Sequence, residues 1–509
     1  MARAATVYTG PDQDEPIPVD TDATIQHVSS RLGDSTDLVS KRFLAMHAWP
    51  AGILYMEGMI DTQLLHQAIL SSLLRSDLPE PKDWEIPEDP LTYIKNEVLV
   101  AGDIQTIDKL ADLFDFLLAG CVILQLDGSR EAIAIHAVGW EDRNVTEPQS
   151  QSVVRGPMEG FTENLRTNTT LIRRKIRSPE LWLETMPIGR VTKTNVGIMY
   201  IKDLAQEGIL NEVKRRLQAI DIDSVLESGY IEEFIQDTAK TPFPTLYNSE
   251  RPDTIAAGLL EGRIAILIDG TPFVLLVPAL FNHFFQSPED YYQRSDISTL
   301  LRMIRYLCFF IAILSPSFYI AITTFHQEML PTGLLINLAA QREGVPFPAF
   351  IEAVLMELTY EILREAGVRI PRTVGQAVSI VGTLVVGQAA VEAGVVSAAM
   401  VIIVSITAIS SYVIPENGMS ISARMLRFLL MGLAGAFGFY GVLIGILFIL
   451  VHLCSLRSFG VAYMSPYAPY KSSDMKDTLF RVPWPFMRRR PLSSGGTGTQ
   501  RLKPPERQT

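Results

Sequence analysis

Cysteine is scarce in this chain. Cys121, Cys308 and Cys454 are its three cysteines, and they are scattered without CxxC spacing, which excludes a disulfide framework and gives no support for a zinc site. Catalytic and nucleotide signatures are missing too: the sequence holds no GxxxxGK(S/T) loop, no GxGxxG opening a βαβ unit, no HExxH and no GxSxG. Its seven histidines are dispersed, and carboxylate pairs such as Glu232-Glu233 suit the solvated face of an amphipathic helix better than acid/base work. No residue is therefore assigned a catalytic role, no cofactor or metal is expected, and an enzyme is the weaker function class. Basic stripes of the kind that read nucleic acid are also lacking, since the formal charge is -12 and belongs to the first three hundred residues. Residues 1–20 carry Asp12, Asp14, Glu15 and Asp20 with no apolar h-region, so a short polar arm is expected there rather than a signal peptide.

What the chain does hold is divided unequally. Of its 509 residues 48% are hydrophobic, but that average covers two unlike halves. Up to about Arg302 charges are dense and the apolar runs are strand-sized or amphipathic, whereas between Met303 and Leu453 several runs approach the length of a bilayer crossing. The fold class expected is a soluble α/β half followed by an all-α polytopic membrane domain.

The first half repeats itself. Ala119-Gly-Cys-Val-Ile-Leu-Gln-Leu-Asp-Gly128 and the apolar run after it match Glu261-Gly-Arg-Ile-Ala-Ile-Leu-Ile-Asp-Gly270 and Phe273 to Val277. Each reads as helix end, glycine stop, strand, Asp-Gly turn and strand, with Gly120 and Gly262 free to take the left-handed conformation that ends a helix. A helix candidate precedes each copy, over 108–118 and 253–260, and a fainter match links Gly52 to Met56 with Val196 to Ile201. Two similar α/β subdomains follow, over 23–145 and 191–295, after a polar arm over 1–22. Between them the segment 146–190 is expected to be a basic linker, with Arg155, Arg166, Arg173, Arg174, Lys175 and Arg177 around a short helix capped by Thr167 to Thr170. Two uses of that charge stay open, a solvated helix face and a contact with an acidic subunit or anionic lipid headgroups.

In the membrane half, spans are expected near 303–322, 374–396, 397–414 and 428–453, with Pro316 interrupting the first and Glu392 and Gly394 joining the second to the third. Arg302 and Arg305 before the first span, and Arg457 and Arg488 to Arg490 after the last, place both termini in the cytoplasm. A tail over 461–509 is expected to be largely disordered. The segment 347–366 has helical apolar spacing yet carries Glu357, Glu361 and Glu365 on one face, so it lies at the interface or faces a water-filled vestibule. His326 and Glu328 lack a third ligand, which favours a structural role. From Val374, Gln376, Ser379, Thr383, Gly387, Ala390 and Gly394 recur at spacings of three and four as a polar, small-residue stripe, suited either to close helix packing or to lining a water path.

In order along the chain come Val153-Val-Arg-Gly-Pro157, Phe161-Thr-Glu-Asn-Leu-Arg-Thr-Asn168, Glu250-Arg-Pro-Asp253, Gln286-Ser-Pro-Glu-Asp-Tyr-Tyr292, Ala321-Ile-Thr-Thr-Phe-His-Gln-Glu-Met329, Arg342-Glu-Gly-Val-Pro-Phe-Pro348 and Gly387-Gln-Ala-Ala-Val-Glu-Ala-Gly394. On these motifs the sequence resembles the A subunits of bacterial spore germinant receptors, the GerA family, from about Ile53 to Pro466. The resemblance implies a protein of the inner spore membrane that works with a transporter-like B subunit and a lipoprotein C subunit, and that oligomerises, as a pentamer, into a cation channel opened by nutrient. Within it the stripe would line the pore, and Glu357, Glu361 and Glu365 would sit at the pore mouth. An accessory sporulation channel of the same family, and a non-conducting scaffold or transporter subunit, remain as alternatives.

Overall fold

Strands that are apolar at successive positions can bury both faces of a sheet, and the central strands Cys121–Leu126, Ala132–His136, Ile264–Ile268 and Val274–Val277 are of this kind. The structure, a computed structural model, describes residues 14–74, 89–100, 103–139, 146–148, 150–369, 387–491 and 500–502. The chain divides into two units, Met1–Gln236 with Asn248–Pro278 and Arg489–Thr509, and Asp237–Tyr247 with Ala279–Arg488.

The first sheet comprises β1 (Leu38–Ala45), β2 (Trp49–Met56), β3 (Ile104–Ile107), β4 (Cys121–Leu126) and β5 (Ala132–His136), in the order β1-β2-β4-β5-β3 and antiparallel throughout. The second comprises β6 (Leu181–Ile188), β7 (Thr194–Ile201), β8 (Tyr247–Ser249), β9 (Ile264–Ile268) and β10 (Val274–Val277), in the order β6-β7-β9-β10-β8. Strand for strand the two orders are the same, so the α/β half is a duplication. Among the described residues its helices of eight residues or more are α1 (Thr21–Arg31), α2 (Leu110–Leu117), α3 (Leu165–Lys175), α4 (Glu207–Gln218), α5 (Ser228–Ile235) and α6 (Pro252–Leu260). The glycine chemistry is as the repeat predicts: Gly120 and Gly262 sit at φ +90° and +87° just after α2 and α6, and Gly128 and Gly270 at +89° and +94° in the two hairpin turns.

The duplication reaches further upstream than the sequence suggests. The Asp127 carboxylate accepts the Thr21 N–H at 3.3 Å, and the Asp269 carboxylate accepts the Leu165 N–H at 3.0 Å. In each copy the turn aspartate thus binds the start of that copy's first helix, which makes α1 and α3 equivalent. The segment 146–190 is accordingly no mere linker: it supplies α3 and β6 to the second copy. Its basic residues concealed an amphipathic helix that buries Leu165, Leu171 and Ile172. Asn164 caps it, accepting from Arg166 and Thr167 N–H at 2.8 and 3.2 Å, while Thr167 to Thr170 lie inside the helix.

Period-two alternation places the core on both sides of the first sheet. Ile53, Val122, Leu124, Ile133 and Ile135 face one cluster with the helical segment 62–73, and Leu54, Ile123, Ala132 and Ala134 face another with α1 and α2. Phe114 at the centre of the second cluster is fully buried, a contribution of about 2 kcal/mol on the usual area scale.

The second unit contains α7 (Ser295–Thr324), α8 (Thr332–Arg342), α9 (Ala349–Arg369), α10 (Gly387–Glu392), α11 (Ala398–Tyr412) and α12 (Asn417–Ser455). Among the described helices, α7 and α12 are long and apolar enough to cross a membrane. Pro316 lies inside α7 rather than interrupting it. The expected span over 374–396 falls largely outside the described residues.

One span departs from expectation. As a straight rod the 39 residues of α12 would extend about 58 Å, but the chain reverses at Gly438, where φ is +59° and ψ -140°. A Cβ on Gly441 would lie 2.2 Å from the Leu433 carbonyl oxygen, and one on Gly445 would lie 2.4 Å from Leu430 Cδ2. At the other end, Ser422 donates to the Pro242 carbonyl while His452 Nε2 sits 2.9 Å from Thr241 Oγ1. Residues 417–437 and 439–455 are therefore two antiparallel arms, where hydropathy alone reads a single span over 428–453. Gly441 and Gly445, four apart on the second arm, are the reason the arms can approach so closely, while Gly435 makes room for the Phe350 ring of α9.

Candidate functional site: buried ion pairs in the helical unit

Arginine and glutamate carry the polar interior of the second unit. Arg424 and Arg427 lie three apart on the first arm of α12, and Glu357 and Glu361 four apart on α9, spacings that put each pair on one helix face. The structure brings them together in two layers. Arg427 Nη1 lies 2.5 Å from the Glu357 carboxylate, and both side chains are fully buried. The same guanidinium donates from Nε to the Ala312 carbonyl of α7 at 2.6 Å and from Nη2 to Ser411 Oγ of α11 at 3.2 Å. One side chain thereby ties four helices together, using the fork of donors that distinguishes arginine from lysine. In the second layer Arg424 binds Glu361 at 2.8 Å, and Arg364 approaches Glu361 at 3.8 Å. A third charge, Glu352 on α9, is fully buried and accepts from the Ser397 N–H and Oγ at 2.6 and 2.5 Å at the start of α11. The Ser397 hydroxyl also meets the Tyr319 hydroxyl at 3.2 Å.

A buried, hydrogen-bonded ion pair in an apolar bundle fixes register, because sliding either helix by a turn leaves a charge without its partner. It offers no nucleophile or proton donor to a substrate. Cys121 in the first unit is equally unsuited to reaction: burial, then the nearby Asp103 charge, push its thiol up to about 11.

The residues singled out by sequence fall in different places. Glu357, expected at a pore mouth, is instead interior and neutralised by Arg427, while Glu361 is shared by two arginines and Glu365 pairs with Arg369 at 2.6 Å. A span that begins at Phe428 leaves Arg424 and Arg427 outside the membrane helix, so the sequence shows no partner for Glu357 and Glu361. Two arginines ahead of an apolar run, each needing a partner, were the signal that finds the site. Of the stripe, Gln376, Ser379 and Thr383 lie outside the described residues. Gly387 is buried, Ala390 packs against the helical core, and Gly394 is a turn residue at φ +68° beyond α10, beside the Gly344 carbonyl.

Among the basic residues proposed for a subunit or lipid surface, Arg173 is interior. Its Nη2 donates to Asp37 Oδ1 and to Ser35 Oγ, both at 2.9 Å, its Nη1 to the Leu181 carbonyl at 3.1 Å, and its Nε to Asp37 Oδ2. Asp37 precedes β1 and Leu181 opens β6, so Arg173 locks the two copies of the duplication together and is no outward contact. Arg166 pairs with Glu57 at 3.1 Å, Arg174 and Lys175 both reach Glu159, and Arg155 is exposed. Arg302 and Arg305, used as topology signals, bind Asp290 at 3.0 and 2.8 Å, and Arg302 also binds Asp477 at 2.8 Å. Their charge is met locally by Asp290 and Asp477.

A duplicated antiparallel α/β half joined to a helical half with apolar outer faces and paired interior charges defines the class of protein. The sequence model of the Bacillus/Clostridium GerA spore germination protein matches residues 26–493, and the chain belongs to the GerA family. It is 51% identical over 472 residues to spore germination protein KA of Bacillus subtilis (strain 168), which covers 92% of this chain and 86% of that one. Spore germination protein GerLA of Bacillus cereus is 41% identical over 468 residues, covering 92% of this chain and 94% of its own length. At 41% identity over 493 residues, an uncharacterized membrane protein of Bacillus subtilis (strain 168), YfkQ, covers 97% of this chain and 95% of its own length. A crystal structure of the N-terminal domain of the A subunit of the Bacillus megaterium spore germinant receptor GerK3 aligns with 52% of this chain and 97% of that one, at 37% identity and a TM-score of 0.42.

Proposed function

We propose that this chain is the A subunit of a nutrient germinant receptor in the inner spore membrane, working with a transporter-like B subunit and a lipoprotein C subunit. In this reading several copies, five in the form the family resemblance implies, surround a cation path that opens when nutrient binds. The observation that carries it is the inverted polarity of the second unit. Arg427 and Glu357 are fully buried, while Phe437, Tyr440, Leu443, Leu447 and Phe448 on the second arm of α12 and the turn before it are exposed. Such a surface calls for lipid or neighbouring subunits, and the paired interior for a bundle that keeps its register inside a membrane. Both ends of the helical pair in α12 lie at the side where 241–242 packs, and Arg457 follows the second arm, which supports cytoplasmic termini. A non-conducting scaffold is the second reading, favoured by the internal pairing of Glu357 and Glu361, which leaves neither carboxylate free to attract cations.

The test uses spores. Deleting the gene should abolish the early release of monovalent cations on exposure to nutrient, and the intact chain supplied in trans should restore it and co-purify with B and C subunits. Normal cation release without the chain would overturn the proposal.

A further inference from the structure

Pro316 stands well inside α7, and its effect falls one turn back. Proline has no N–H to give, so the carbonyl four residues earlier, that of Ala312, loses its helical donor and is crowded by the pyrrolidine ring. Inside an apolar bundle a carbonyl left open in this way has to be met from outside its own helix. Arg427 meets it. From the first arm of α12 its Nε donates to the Ala312 carbonyl at 2.6 Å, and Ala312, Pro316 and Arg427 are all buried. The remaining nitrogens of the guanidinium serve Glu357 and Ser411, a division that the single nitrogen of a lysine cannot make.

A second sign of a loosened ladder lies next to the proline. Elsewhere in α7 the hydroxyls of Ser298, Thr299 and Thr323 each donate to the carbonyl four residues back, at 2.9, 2.7 and 2.7 Å. The Ser317 hydroxyl is fully buried and has no hydrogen-bond partner among the described residues. The two halves of α7 are also anchored separately. Arg302 and Arg305 tie the first to Asp290, while Tyr319 in the second meets the Ser397 hydroxyl, which donates to Glu352.

We infer that α7 is a hinged helix with its joint at 312–317, and that Arg427 is the latch that holds the joint in one arrangement. Pro316 creates the acceptor, and the acceptor is why an arginine is needed at 427. With the latch open the Ala312 carbonyl is stranded and the two halves of α7 are free to change their angle. This device is separate from the proposed receptor role, and no nutrient, ion or partner subunit is needed to detect it.

The test combines a double-mutant cycle with a distance measurement on the detergent-solubilised full chain. Arg427→Lys keeps a charge for Glu357 but gives up the Nε donor, so it strands the Ala312 carbonyl only where Pro316 is present. In Pro316→Ala the restored N–H takes that carbonyl, and the factor by which Arg427→Lys raises the unfolding constant should be about fivefold or more smaller than in the otherwise unchanged chain, the worth of one stranded buried acceptor. Spin labels placed through Ile297→Cys and Phe325→Cys, both exposed and on opposite sides of the joint, with the three native cysteines replaced by alanine, report the angle. Their separation should be single and narrow in the otherwise unchanged chain, broader with Arg427→Lys, and longer yet narrow in Pro316→Ala with or without Arg427→Lys. Should Arg427→Lys fold only together with Pro316→Ala, the latch is equally supported. An equal cost of Arg427→Lys in both backgrounds, or a label separation unchanged by Pro316→Ala, would overturn it.

Discussion

Replacing Arg427 with methionine keeps much of the side-chain volume and removes the charge that holds Glu357. Glu357 would then be a fully buried carboxylate whose one close cationic partner, now at 2.5 Å, is gone. Breaking a buried pair from one side costs about 3–5 kcal/mol, which is about two to three and a half decades in the unfolding constant. The lost donations to the Ala312 carbonyl and Ser411 Oγ add about 1 kcal/mol each at most. Glu357→Gln is expected to cost less, because the amide oxygen still accepts from Arg427. The double variant Arg427→Met with Glu357→Gln should recover most of the loss, since replacing both members of a buried pair is often close to neutral. Unfolding by SDS titration in mixed micelles, followed by circular dichroism, gives the full cycle, and the coupling between the two positions should exceed about 2 kcal/mol. A cost below about 0.5 kcal/mol for Arg427→Met, with no coupling, would refute the reasoning and mean that the pair is hydrated or not formed.

Three further outcomes are expected. Gly441→Ala places a Cβ 2.2 Å from the Leu433 carbonyl oxygen and should destabilise the helical unit by several kcal/mol, whereas Gly432→Ala, with nothing within 4 Å, should be neutral or slightly stabilising in the same micelle titration. Arg173→Met should leave each α/β copy folded but loosen their junction by about 3 kcal/mol or more, seen as faster amide exchange at Thr36 and Leu183, which are bonded across it at 3.1 Å. Exposed Cys454 should react with maleimide at neutral pH while Cys121, buried with its thiol pushed up to about 11, stays unreacted until the first unit unfolds.

The sequence carried much of the first unit because its signals are local. Asp-Gly turns and stop glycines declare themselves by residue type, and Gly120, Gly128, Gly262 and Gly270 all adopt the positive φ those roles demand. The equivalence of α1 and α3 was hidden, since it depends on Asp127 and Asp269 reaching 106 and 104 residues along the chain. The basic composition of α3 pointed outward, yet Arg173 turns inward because Asp37, far upstream, is there to receive it. In the second unit hydropathy located the apolar stretches but not their paths. A reversal at Gly438 leaves mean hydropathy unchanged, and only the close approach of Gly441 and Gly445 to the other arm reveals it. For the same reason Glu357 looked like a free acid, because pairing between helices is a tertiary fact with no local signature.

Release of potassium from liposomes loaded with the ion and reconstituted with the purified full chain, alone and with its B and C partners, tests the central proposal most directly. Nutrient-dependent release that rises more steeply than the first power of the chain-to-lipid ratio, and that is lost with Arg427→Met, is the predicted result. Liposomes that stay sealed under nutrient, with all three subunits folded and assembled in the bilayer, would contradict it.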